Sequence, residues 1–183
     1  MRCALAAIIL LSSPALATTY YVDVNCTSPG NGTRDTCDAG DPNNRMNNLQ
    51  TCMSNAVAGD TCVVRPGDYF KSGYFPGNRE KDPIFYFGNH GTAGNPITVR
   101  GSDPANPPRI CSADNCSTAV CNFHGLTIGT LASGTAHDYI VLQDLRVIGG
   151  TVFNGDNGSV LRNVEVSGGW TYNNSCPAPV GTS

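Results

Sequence analysis

The sequence predicts an all-β solenoid, a chain wound into stacked coils of short parallel strands. Three observations carry that expectation. One stretch repeats itself 19 residues later (160 − 141). Short runs of Val, Ile, Tyr and Leu alternate with Gly, Pro, Asn and Asp, the pattern of many strands joined by turns. One segment alone has helical periodicity.

In the repeat, Val141-Leu142-Gln143-Asp144-Leu145-Arg146-Val147-Ile148-Gly149-Gly150 lines up with Val160-Leu161-Arg162-Asn163-Val164-Glu165-Val166-Ser167-Gly168-Gly169. Apolar matches apolar, Asp matches Asn, and the Gly-Gly pair matches itself. Self-similarity at such a period marks a solenoid, in which each unit buries its apolar face against the next. A unit made only of strand and turn excludes the helical repeats. Leu142, Leu145 and Val147 are expected to face inward, stacked on Leu161, Val164 and Val166. Leu142 and Leu145 are three apart, so simple alternation fails between them. A sharp bend at Asp144 and Asn163 restores it, because Asp and Asn tolerate the left-handed backbone such a bend needs. Stacked at one corner, the two side chains can also hydrogen-bond along the solenoid axis.

The helix is expected over 44–58, where Met46, Leu49, Met53 and Val57 recur at three- and four-residue steps and Gly59 supplies a stop. A strand follows over 60–65, and Pro66-Gly67 turns the chain into Asp68-Tyr69-Phe70. Residues 71–95 read as loop with a strand at 84–87. A short strand over 96–101 ends in glycine. Residues 102–122 read as irregular and pinned by cysteines, and 126–128 as a weak strand.

The start of the chain reads as an export leader. Met1-Arg2 is positive, 3–11 is apolar, Ser12-Ser13-Pro14 breaks the run, and Ala15-Leu16-Ala17 is an A-x-A cleavage site. The apolar run is too short to span a bilayer. Residues 1–17 are thus a signal peptide of bacterial type, and 18–183 one domain. A formal charge of −3, from 11 basic and 14 acidic residues, argues against nucleic acid and against an anionic membrane surface as partners.

Of nine cysteines, Cys3 leaves with the leader. Cys26, Cys37, Cys52, Cys62, Cys111, Cys116, Cys121 and Cys176 remain. An even count in an exported chain favours disulfides, although eight cysteines allow 105 pairings. Cys26 with Cys37 would close a polar loop, and Cys52 with Cys62 would tie the helix to the next strand. Cys111, Cys116 and Cys121 recur every five residues with His124 beyond. Zinc is the alternative there, but its sites usually add a second cysteine pair or histidines nearby, and an exported chain normally oxidises its thiols.

Several segments resemble secreted right-handed parallel β-helix proteins of the pectate lyase-like superfamily. Thr19-Tyr20-Tyr21-Val22-Asp23 is similar to the start of their mature chains. Asn48-Leu49-Gln50-Thr51-Cys52 is similar to their capping helix. The stretches from Gly59 to Tyr69 and from Gly91 to Gly101 resemble their first two strands, and Tyr139-Ile140-Val141-Leu142 a later rung. The resemblance runs from Thr19 to about Gly169. It implies a right-handed parallel β-helix with one short N-terminal capping helix. It also implies a secreted or periplasmic protein, monomeric, that acts on or binds acidic or plant cell-wall polysaccharide. Superfamily members include lyases, glycoside hydrolases, epimerases and non-catalytic surface proteins. The lyases resembled use a basic residue as proton abstractor and often Ca²⁺ held by carboxylates, on middle rungs. No comparable acidic cluster is visible here, so no cofactor is expected within these residues, with Ca²⁺ reserved for a longer protein. The sequence ends without a visible cap, so it is expected to be the N-terminal part of a longer solenoid, inactive by itself. The alternative is a non-catalytic β-helix that binds glycan or acts as a spacer.

Arg146 and Glu165 fall at equivalent outward positions of the repeat and are candidate sugar contacts. The plainer reading is a surface ion pair worth at most about 1 kcal/mol. Trp170 and Tyr172, and the group Tyr69, Phe70, Tyr74 and Phe75, could stack on sugar rings. The alternative for Trp170 is the core of a further rung. His137-Asp138 suggests acid–base work, but adjacent strand residues point to opposite faces, which favours a turn hydrogen bond. His90 and His124 sit in loops. The sequons at Asn25, Asn31, Asn115, Asn157 and Asn173 mark loop character.

Overall fold

In the computed structural model the described residues are 16–70, 85–111, 116, 126–128, 138–148, 151–153 and 157–167, with 126–128 and 151–153 described as backbone. Most of the leader, residues 1–15, lies outside them, as do Cys121, His124, His137, Trp170, Tyr172, Cys176, Tyr74 and Phe75. Among the described residues no helix is long and apolar enough to cross a membrane.

The elements follow as β1 (Thr19–Val22), α1 (Leu49–Asn55), β2 (Thr61–Val64), β3 (Asp68–Tyr69), β4 (Phe85–Tyr86), β5 (Ile97–Gly101), β6 (Arg109–Cys111), β7 (Leu126–Ile128), β8 (Ile140–Ile148), β9 (Thr151–Phe153) and β10 (Val160–Ser167). All pairings between these strands are parallel. A curled seven-stranded sheet holds the order β1-β2-β5-β8-β6-β3, with β10 also on β8, and β4-β7-β9 form a second sheet. The arrangement is all-β and solenoid-like.

β8 explains the topology. Its first half, Ile140 to Gln143, pairs with β5, and its second half, Arg146 to Ile148, pairs with β6. Between them Asp144 has φ of 53°, and Asn163 repeats the bend at 49°. Each pass of chain therefore lays one strand on a first face and one on a second. The third face follows at β4, β7 and β9 in the coils that begin with β2, β5 and β8.

Coil length is uneven. Thr61 pairs with Thr98, Thr98 with Val141, and Val141 with Val160, giving steps of 98 − 61 = 37, 141 − 98 = 43 and 160 − 141 = 19 residues. Only the last step lacks an insertion, which is why the repeat is visible in sequence there and nowhere else. The corner varies in length as well, and it is tightest in the last two described coils. It takes Arg65-Pro66-Gly67 after β2, seven residues between β5 and β6, and single residues at Asp144 and Asn163.

The inward side chains form columns. Cys62, Val99 and Leu142 stack on the first face, ending at Leu161, and Tyr69, Ile110 and Val147 stack on the second, ending at Val166. From Cys62 to Leu142 and from Tyr69 to Val147 these residues are at most 2% exposed. Each fully buried aliphatic side chain contributes about 1.5–3 kcal/mol. Leu142, Leu145 and Val147 are buried in register with Leu161, Val164 and Val166, as the repeat predicts.

The helix is shorter than its apolar stripe suggests. Asn48 caps it, its side chain accepting from the N–H of Gln50 and Thr51, and Ala56 leaves helical geometry with ψ of 134°. Met46 instead bridges to Val22, and Val57 is 46% exposed. The N-terminal extension fails because Asn44 is fully buried and tied to the 28–38 loop through Ser28, Thr36 and Asp38. The C-terminal extension fails because Asp60 accepts the Val57 N–H. Leu49, Cys52, Met53 and Ala56 close the first end of the core.

Among the described residues three disulfides are formed, Cys26–Cys37, Cys52–Cys62 and Cys111–Cys116. The first two are the pairs expected. The third removes two of the three cysteines from any zinc set, and among the described residues no metal-ligand group of His, Cys, Asp or Glu occurs. Three disulfides suit an oxidising environment.

Candidate functional site

Two outward faces meet at the Asp144–Asn163 corner. The strand alternation that points Leu145 and Val147 inward points Arg146 outward. The parallel register then sets Asp68 beside Arg109, Arg109 beside Arg146, and Arg146 beside Glu165. The second face thus carries a charge row ordered acid, base, base, acid across four coils.

Each arginine turns to the carboxylate on its outer flank. Asp68 Oδ1 and Oδ2 accept from Arg109 Nε and Nη2 at 2.6 and 2.5 Å. Glu165 Oε2 accepts from Arg146 Nε and Nη2, both at 2.8 Å. Arg146 and Glu165 are 43% and 53% exposed, so that pair stabilises the coil stack by at most about 1 kcal/mol. Two like charges directly opposite one another are unfavourable. Arg109 and Arg146 tolerate it because each is neutralised from the other side.

The row borders an open cleft of about 530 Å³ whose wall includes Gly67, Asp68, Asn106, Pro107, Arg109 and Arg146. Its lining offers two guanidiniums and a side-chain amide, groups suited to carboxylate and hydroxyl oxygens. Asp68 and Glu165 are three rungs apart, about 14 Å at the spacing of paired strands. An acid–base pair for glycoside hydrolysis needs about 5–9.5 Å. These two carboxylates therefore do not form such a pair.

The corner positions both faces. Asp144 Oδ1 accepts from Asn163 Nδ2 at 2.7 Å, and its Oδ2 accepts from Gln143 Nε2 at 2.9 Å. The hydrogen bond from Asn163, followed by that from Gln143, holds the Asp144 carboxyl below the usual aspartate range. On the preceding coil Gly101 occupies this corner, where a Cβ would lie 2.2 Å from the Asp144 carbonyl oxygen.

The remaining expected residues separate. Tyr69 is 2% exposed, and its hydroxyl donates to the Arg65 carbonyl at 2.9 Å and accepts from the Val24 N–H at 3.3 Å. Burial pushes its phenol well up, so it is a core residue and no sugar platform. Phe70 is 40% exposed beside a smaller cavity of about 280 Å³ lined by Val24, Leu49, Tyr69 and Phe85. Asp138 accepts the Asn157 N–H at 2.9 Å, the turn hydrogen bond expected of it. His90 is exposed.

Sequence reasoning found Arg146 and Glu165 but missed Asp68 and Arg109. Arg109 lay in a stretch read as irregular, and its three-residue strand is too short to show periodicity. The one available signal was that Arg109-Ile110-Cys111 mirrors Arg146-Val147-Ile148 in polarity. No family model and no curated protein matches the chain.

Proposed function

We propose that this chain is a secreted right-handed parallel β-helix that binds polysaccharide on its outward strands, in the manner of carbohydrate-active β-helices. The right hand is supported by a general rule. Crossovers between parallel strands of one sheet are right-handed in about 98% of cases. Secretion is supported by the leader-like start and by three disulfides.

The observation that carries the binding reading is the in-register row Asp68, Arg109, Arg146, Glu165 along the polar cleft. An acidic sugar at its centre would take hydrogen bonds from both guanidiniums, relieving the contact between like charges. The test is affinity electrophoresis of the purified protein in gels containing polygalacturonate, alginate or dextran. Retardation by an acidic polymer, lost in an Arg109→Ala/Arg146→Ala variant, is expected. No retardation by any of them overturns the reading.

A second reading is favoured by one specific observation. Both arginines of the row are already satisfied within the protein. That suits a non-catalytic spacer whose outward charges lock neighbouring coils together. Equal melting temperatures with and without an acidic polymer at saturating concentration would favour the spacer.

A further inference from the structure

On the first face, before the corner, a different row runs along the stack. Parallel register places Tyr21 beside Val63, Val63 beside Arg100, Arg100 beside Gln143, and Gln143 beside Arg162. Their inward neighbours Tyr20, Cys62, Val99 and Leu142 belong to or pack against the core, so the row lies on the opposite side of the sheet; Val63 is only 4% exposed there, and the accessible part runs from Arg100 through Gln143 to Arg162. Arg100 and Arg162 are exposed, and neither forms an ion pair or hydrogen bond among the described residues. The carboxylate at the adjoining corner, Asp144, has one oxygen taken by Asn163 and the other by Gln143. Gln143 spends one of its two amide N–H groups on that bond, which leaves the other N–H as a donor and its carbonyl oxygen as an acceptor.

The result is a strip with the period charge, neutral, charge. Its two guanidiniums, neither of them hydrogen-bonded among the described residues although the Arg100 charge acts on the Asp144 carboxylate, are two rungs apart, roughly 10 Å. A pyranose in an extended glycan advances by about one rung. We infer that this strip holds an anionic polysaccharide lying along the stacking axis, with an acidic group on alternate sugars. Arg100 and Arg162 each take one acidic group. Gln143 accepts a hydroxyl or amide N–H from the neutral sugar between them. A polymer charged on every sugar would set its middle carboxylate against a neutral amide instead of a third cation. Nucleic acid is disfavoured by the chain's net charge of −3 and by the isolation of the two cations.

The inference rests on the glycan-binding reading but uses different residues, so the two can fail separately. The experiment measures affinity of the purified chain for hyaluronan, polygalacturonate, dextran and an oligothymidylate, at low and at physiological salt. Hyaluronan, acidic on alternate sugars, is expected to bind best. Arg100→Ala/Arg162→Ala is expected to weaken hyaluronan by at least about tenfold, since it removes both charge-assisted hydrogen bonds to the acidic groups. Arg34→Ala, which removes an exposed cation from the 23–46 loop, is expected to change nothing. Circular dichroism checks that each variant folds. Hyaluronan bound equally by wild type and the double variant overturns the inference, as does oligothymidylate bound as tightly as hyaluronan. Polygalacturonate bound through Arg109 and Arg146, with hyaluronan unbound, overturns this strip alone. Binding to none of the polymers overturns both readings.

Discussion

Gly101→Ala is the substitution that most sharply probes how the coils sit on one another. A Cβ at this position would lie 2.2 Å from the Asp144 carbonyl oxygen and 2.9 Å from Pro108 Cδ. Both obstacles are held in place, one being backbone of the next coil and the other a proline ring. Ordinary carbon–oxygen contact requires roughly 1 Å more, and the neighbouring Arg100–Gln143 pairing resists that separation. Overpacking costs about 1–3 kcal/mol, and the upper end applies where neither neighbour can turn aside. For a chain of this size about 3 kcal/mol lowers the melting temperature by roughly 6–12 °C. Gly94→Ala is the control, because nothing lies within 4 Å of its added Cβ. The assay is thermal unfolding by circular dichroism for wild type and both variants. If Gly101→Ala melts within a degree or two of Gly94→Ala, the coil of Asp144 does not rest on Gly101 and the stacking order is wrong.

Three more outcomes are expected. Asn163→Val loses the 2.7 Å hydrogen bond to Asp144 and puts a β-branched residue at φ of 49°. It should cost about 2 kcal/mol in urea unfolding, while Asn163→Gly should cost less because glycine accepts that backbone. Asn44→Ala leaves the Ser28 and Asp38 carbonyls and the Asp38 N–H without the partner they have now. A loss of about 2–4 kcal/mol is expected, read as faster proteolysis within the 28–46 loop or as a lower melting temperature. The folded-state pKa of Asp144 is depressed, so its contribution is full above the unfolded value, about 3.9, and disappears as pH falls through the lower folded value. Melting temperatures between pH 2 and 7 should therefore fall more steeply below about pH 4 for wild type than for Asp144→Asn, and parallel curves would refute this.

What could be read from sequence tracks the length of the insertions. The last two described coils are 19 residues apart, so their inward columns and their shared bend appear as a repeat. In the earlier coils the steps of 37 and 43 residues hide the same columns. β6 and its Arg109 went unseen because a strand of three residues, the last of them a cysteine, carries no period. The helix was over-extended for a different reason. Met46 and Val57 fit the helical spacing, but the buried hydrogen bonds of Asn44 and the capture of the Val57 N–H by Asp60 outweigh propensity at its two ends. The two local disulfides were legible because each joins neighbouring elements ten or eleven residues apart. At the candidate site, Arg146 and Glu165 were found through the repeat. Their partners Asp68 and Arg109 become visible only through the register of strands 37 or more residues apart in the chain (109 − 68 = 41, 146 − 109 = 37).

The most direct measurement is a set of inter-strand nuclear Overhauser effects in the isotope-labelled protein. Parallel-type contacts between amide and α protons are predicted for Leu142 with Leu161, Leu145 with Val164, and Val147 with Val166. Close α-proton to α-proton contacts between these stretches would mean antiparallel pairing, and no contact at all would separate them. Either result contradicts the stacked parallel coils on which both glycan faces depend.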